Sequence, residues 1–192
     1  MKAIFFIILL LFVSSCGVQS IPKAKNKVAS QLAEISNQYK RRLDLIPNLV
    51  KTVKGYAKHE KSTLEAVVKA RASATQAKID INNLNPSQIK NFQKAQAGLG
   101  QALGRLMVVV EKYPNLKANA NFLDLQSQLE GTENRITIAR QRYIQSIESF
   151  NNLVTVFPSS LTNSMFFHYK TLPQWQADES SKELKQTPKV QF

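Results

Sequence analysis

One cysteine, two histidines and one tryptophan stand in a chain of 192 residues, and glycine and proline number only six and seven. A lone cysteine excludes an intrachain disulfide. The His59-Glu60 pair lacks the second histidine, one turn on, that a zinc-protease helix requires. Few glycines, with most prolines placed between periodic stretches, argue against a turn-rich β fold. No Gly-x-Ser-x-Gly elbow is present. The run from Gly98 through Gly100 to Gly104 is one residue too long for a dinucleotide fingerprint and follows no strand. No cofactor or metal is therefore expected. Acidic side chains are scarce too: 13 Asp and Glu face 26 Lys and Arg, a net charge of +13. Such an excess attracts anionic partners. The aromatics fall mostly on core stripes and leave few surfaces for stacking bases, so nucleic acid is not the expected partner.

The first residues are organised differently from the rest. Met1-Lys2 opens positively, and Ala3 to Val13 is an unbroken apolar run. It is shorter than the roughly 20 residues that span a bilayer, but it suits the apolar region of a secretory signal. Val13-Ser14-Ser15-Cys16-Gly17 then resembles a bacterial lipobox. That resemblance implies cleavage before Cys16 and a thioether from its sulfur to diacylglycerol. Several acyl chains give stable anchoring at about 0.8 kcal/mol per buried methylene. The expected address is the cell envelope, lipid-anchored on the periplasmic side. Gly17, where an Asp commonly retains lipoproteins at the inner membrane, favours the outer membrane. The division is a signal peptide at 1–15, a lipidated tether at 16–25, a helical bundle at 26–158 and a partly disordered extension at 159–192.

At 43% hydrophobic, the bundle region suffices for one core. Val28, Leu32, Ile35, Tyr39, Leu43, Ile46, Val50 and Val53 lie three or four apart and line one helix face. Pro47 sits inside this run, where it removes the hydrogen bond to the Leu43 carbonyl, so a kink is expected there. A second helix, rich in alanine, is expected over about 59–81. Asn85-Pro86 is an N-cap followed by proline at the first helical position, opening a third helix to about Lys112. Glycines 98, 100 and 104 inside it suggest close backbone approach. The fourth stripe is Phe122, Leu125, Leu129, Thr132, Ile136, Ala139, Tyr143, Ile147, Phe150, Val154 and Phe157. Its near-heptad rhythm predicts coiled-coil-like packing. The expected fold is all-α, an elongated up-down antiparallel four-helix bundle with its first helix kinked near Pro47. The cluster Met165-Phe166-Phe167-His168-Tyr169 can fold back over the bundle end, and 176–192 reads as disordered.

Several blocks resemble the LemA family: Arg41-Arg42-Leu43-Asp44-Leu45-Ile46-Pro47-Asn48-Leu49-Val50, Thr52 to Glu60, Ala70-Arg71-Ala72, Val108 to Asn119, Asn121-Phe122 and Thr132-Glu133-Asn134-Arg135-Ile136. The resemblance covers roughly residues 30–160. It implies a helical bundle held at a bacterial membrane and implies no enzymatic activity. Members commonly carry an N-terminal transmembrane helix, from which the lipobox departs.

Polar residues beside apolar stripes are the candidate site. Arg42, Asp44 and Asn48 surround Pro47; Glu133, Asn134 and Arg135 flank Thr132; Asn119 and Asn121 precede the fourth helix as caps or as amides offered to a partner. Two roles suit them: a buried polar layer that sets helix register, or a ligand or peptide groove. The leading reading is a non-catalytic scaffold that contacts envelope proteins, with a basic face toward anionic lipid. The contrasting one is an envelope hydrolase using Glu130, Glu133 or His59.

Overall fold

A computed structural model describes residues 18–80 and 84–175. The signal peptide, Cys16 and the 176–192 tail expected to be disordered lie outside the described residues. Among the described residues the chain is all-α: α1 (Ser20–Tyr56), α2 (Lys61–Gln76), α3 (Pro86–Val110), α4 (Pro114–Lys117), α5 (Ala120–Thr155) and α6 (Ser159–Thr162), then a π-helical turn (Asn163–Phe167). There are thus six helices rather than four, the two extra ones being single turns.

α1 starts earlier than its apolar pattern suggested. Residues 20–25, expected as tether, are helical, and Ile21 is fully buried. Pro22 is tolerated because the first turn has no intrahelical acceptors for its N–H groups. The helix then runs unbroken through Pro47. The Leu43 carbonyl that Pro47 cannot serve accepts a 2.9 Å hydrogen bond from Arg71 Nε of α2. A side chain of a neighbouring helix thus satisfies a backbone group that would otherwise be left unpaired.

α1 pairs with α5 along its length. Between the contacts Tyr56–Asn119 and Arg42–Glu133, α1 recedes by 14 residues while α5 advances by 14. The two helices are therefore antiparallel in constant register over two heptads. α2 returns along the upper part of α1 and packs on α3. Asn85 caps α3, accepting from Gln88 N at 2.9 Å.

Helix lengths are unequal, and that shapes the core. At 1.5 Å per residue, 37-residue α1 is about 55 Å long and 16-residue α2 about 24 Å. An upper core joins Ile46, Leu49, Val53, Val67, Leu99, Leu106, Phe122 and their neighbours from every long helix. A lower core joins Ile21, Val28, Ile35, Tyr39, Phe92, Ile136, Tyr143, Ile147 and Phe150. α2 does not extend over the lower core, and the segment after α6 covers part of it. Asn151 holds both backbone groups of Leu172, at 2.9 and 2.8 Å, and Asn163 holds both of Tyr169, at 3.0 Å each. Trp175 stands edge-on to Phe92 and Tyr143.

Three expectations change. A methyl group built on Gly98, Gly100 or Gly104 meets nothing within 4 Å, so these glycines do not serve close helix approach. Phe157 is exposed rather than part of the α5 stripe. Around Pro47, Arg42 and Leu49 are buried, whereas Leu43 and Val50 are only half-buried.

The exchange of partners at Leu43 is testable. Arg71→Ala should destabilise the chain by about 1–2 kcal/mol in urea unfolding. The same change should cost less in a Pro47→Ala background, where residue 47 regains an N–H for Leu43. Equal costs in both backgrounds would show that the bond is unimportant.

Candidate functional site

The candidate residues gather at two heights on the α1–α5 pair. The lower group is centred on Arg42, which is 5% exposed. Its Nη1 donates to Glu133 Oε2 at 2.9 Å, and its Nη2 donates to Gln96 Oε1 at 2.6 Å and to the Gln96 carbonyl at 3.2 Å. The guanidinium carbon lies 5.0 Å from the Tyr39 ring centre, within cation–π range. Arg42 follows Tyr39 of the lower core and precedes Ile46 of the upper, and Gln96 sits in the same way between Phe92 and Leu99. This polar layer divides the two cores. Thr132 lies at the same height but satisfies its hydroxyl within α5, donating to the Gln128 carbonyl at 2.7 Å.

The cleft beside this layer is lined by Tyr39, Arg42, Gln93, Gln96, Glu133, Arg140 and Trp175 and measures about 130 Å³. Pockets for small organic ligands run from roughly 300 Å³ upward, so it is undersized for one. The Glu133 carboxylate is committed to Arg42. Glu130 accepts from Gln126 on its own helix at 3.0 Å, and His59 lies in the α1–α2 connection. Glu130 and Glu133 are neighbours one turn apart on α5, but His59 is not brought to them. Asp44, Asn134 and Arg135 are exposed and line neither this cleft nor the one where α1 ends and α5 begins.

The upper group lies where α1 ends and α5 begins. Asn48, Lys51, Thr52, Gly55 and Tyr56 of α1 face Asn119, Asn121, Asp124 and Leu125 across a polar cleft of about 560 Å³. Asn119 caps α5 by accepting from Phe122 N at 3.1 Å, and its amide also donates to the Tyr56 hydroxyl at 2.9 Å. Capping therefore orients the side chain that ties the two helix ends. Asn48 and Asn121 are exposed in the cleft. Next to it, Tyr113 donates to Glu60 at 3.2 Å, and burial, then the Glu60 carboxylate, raise its phenol above the usual 10. Lys51, Thr52, Tyr56 and Asp124 did not stand out in the sequence, because nothing in a helical pattern tells which polar positions face a neighbouring helix end.

The model of the LemA family matches residues 31–192. The chain belongs to the LemA family. The matched region takes in the segment after α6, which the motif blocks had left as an extension. Protein LemA of Metamycoplasma hominis is 22% identical over 161 residues, covering 79% of this chain and 70% of that protein. Magnetosome protein MamQ of Magnetospirillum gryphiswaldense is 34% identical over 64 residues, and Magnetosome protein MamQ 2 of Paramagnetospirillum magneticum is 36% identical over 64. Each MamQ match covers 33% of this chain and 24% of the relative, so the chain aligns with about a quarter of those proteins.

Two measurements probe the lower layer. Arg42→Ala leaves the Gln96 amide oxygen without its buried donor and should cost about 1–3 kcal/mol. Glu133 is 57% exposed as a side chain, and Glu133→Gln should cost under about 1 kcal/mol. Equal losses in urea unfolding would contradict this asymmetry. The buried Tyr143 hydroxyl has no hydrogen-bond partner among the described residues, and desolvation pushes its pKa from 10.0 up to about 12. Between those pH values the unfolded chain releases this proton and the folded chain keeps it. The resulting stability is full below pH 10 and is lost as pH rises toward 12. Tyr143→Phe should remove that component of the alkaline loss. Identical stability–pH curves for the two proteins would refute it.

Proposed function

We propose that this LemA family chain is a non-catalytic interaction module of the bacterial envelope, anchored by lipid on Cys16. Residues 1–15 act as the signal peptide, and the outer membrane, periplasmic side, is the favoured address. Four long helices in up-down order, the first bent at Pro47, carry the module. The observation that supports the reading best is the upper cleft, which Asn48, Asn119 and Asn121 line, roughly 40–55 Å along α1 from its first residue. Amide side chains both donate and accept, which suits the exposed backbone of a partner protein segment. The layer at Arg42 serves this role indirectly, because it holds α1 and α5 in the register that brings the cleft's two walls together. His59 stands apart from the Glu130–Glu133 pair, and Glu133 is engaged by Arg42, which favours binding over hydrolysis.

Recovery of partners from cross-linked envelopes, with the lipid-anchored chain as bait, tests the proposal. Envelope proteins should be enriched over an unrelated lipoprotein, and Asn48→Ala with Asn121→Ala should abolish that enrichment while leaving thermal stability within about 0.5 kcal/mol, as exposed substitutions do. No enrichment over the control would refute the scaffold reading. Enrichment that survives both substitutions would move the contact away from this cleft.

A further inference from the structure

The end of the bundle where α1 begins and α5 finishes carries apolar side chains that no described residue covers. Val156, Phe157, Leu161, Met165 and Phe166 are all more than half exposed, and Val18 is 42% exposed at the start of the described chain. Five of these fall within eleven residues, in contrast to the scattered exposed apolar residues elsewhere, such as Val68, Val108 and Ile138. A concentrated apolar surface marks a contact site, whereas scattered residues are ordinary. The segment that bears it is held in place. The Asn163 clamp fixes Tyr169, His168 closes the π turn in a left-handed conformation, Phe167 stacks on Tyr169 at 5.6 Å, and Lys25 Nζ sits 4.2 Å over the Tyr169 ring. Met165 and Phe166 are thus turned outward by a structure that buries their neighbours.

Charge and chain position say what lies opposite. Residues 18–33 contain Lys23, Lys25 and Lys27 and no carboxylate side chain; residues 149–175 contain Lys170 and no carboxylate side chain. The α2–α3 connection, whose Ile79 and Leu84 pack on the same lower core, adds one charge of each sign in Lys78 and Asp80, so lysines stay in excess at this end. An apolar end with a lysine excess complements a bilayer with anionic headgroups, into which aromatic and aliphatic tips insert while the ammonium groups stay at the phosphates. Cys16 is four residues before the first residue of α1, a reach of at most about 14 Å.

We infer that this end of the bundle is a membrane foot: Phe157, Leu161, Met165 and Phe166 insert into the interfacial layer of the bilayer, and Lys23, Lys25, Lys27 and Lys170 contact anionic lipid. The foot sets the bundle upright, with the Asn48–Asn121 cleft facing away from the membrane. It extends the anchoring proposed above, since an acyl chain holds a protein near a bilayer without orienting it.

The test uses the mature chain in vesicles of phosphatidylethanolamine and phosphatidylglycerol, with Met165→Cys, Phe166→Cys and, as a distal control, Ile138→Cys. Each is labelled with an environment-sensitive maleimide dye. All three positions are exposed, so folding should survive, and circular dichroism checks it. Dye at 165 and 166 should shift to the blue and be quenched by doxyl-labelled lipid, and dye at 138 should do neither. Water-like emission at 165 and 166 would overturn the foot. So would a blue shift that doxyl lipid fails to quench, which is the mark of a protein partner or a second copy of the chain. The unsubstituted chain separates the two proposals: it takes up dye only if the Cys16 thiol is free. Uptake there would refute the lipid anchor, while quenching at 165 and 166 would still support the foot.

Discussion

The guanidinium of Arg42 is the group around which the rest of the bundle is arranged. A buried cation needs acceptors, and three oxygens supply them: two from Gln96 on α3 and one from Glu133 on α5. Sliding α1 by one turn in either direction would set the charge against apolar neighbours of one core or the other. Apolar packing alone tolerates several registers of two long helices; a buried cation with fixed acceptors tolerates one. The open edge at Glu133 lowers the cost of the arrangement, because that carboxylate keeps over half its hydration.

Once the register of α1 and α5 is set, the two ends of the molecule acquire their characters. At one end Tyr56 meets Asn119, and the helix ends enclose a polar cleft. At the other, the first turn of α1 meets the last of α5. There the shortness of α2 leaves a side of the lower core that the C-terminal segment covers with Phe167, Tyr169, Leu172 and Trp175. The same segment turns Met165 and Phe166 outward. A short helix, a clamped tail and an exposed apolar end are thus connected consequences of unequal helix lengths.

Much of this was legible in sequence and some was not, for identifiable reasons. The stripes of α3 and α5, the cap at Asn85 and the cap at Asn119 depend on residues within a few positions of one another, and local rules describe such effects well. The LemA-like blocks likewise pointed to the family that the chain matches. The glycines of α3 misled, because a glycine in a helix is consistent both with close approach and with an open surface. The start of α1 was placed late because Ile21 is separated from Val28 by a lysine-rich stretch that weakens the periodic pattern. At Pro47 the rule for proline identified the orphaned Leu43 carbonyl but not its donor, since Arg71 is brought near only when α2 folds back.

The sequence by itself determined the helical class, most helix boundaries, the apolar faces and the excess of lysine, because each follows from residue type and spacing along one chain. The tertiary structure alone decided which polar residues meet. Arg42 with Gln96 and Glu133, Arg71 with Leu43, and Tyr56 with Asn119 are separated by 28 to 91 positions. Hydrogen bonds and clefts act over a few ångströms of space, so their partners are fixed by how helices dock and not by how far apart they stand in sequence.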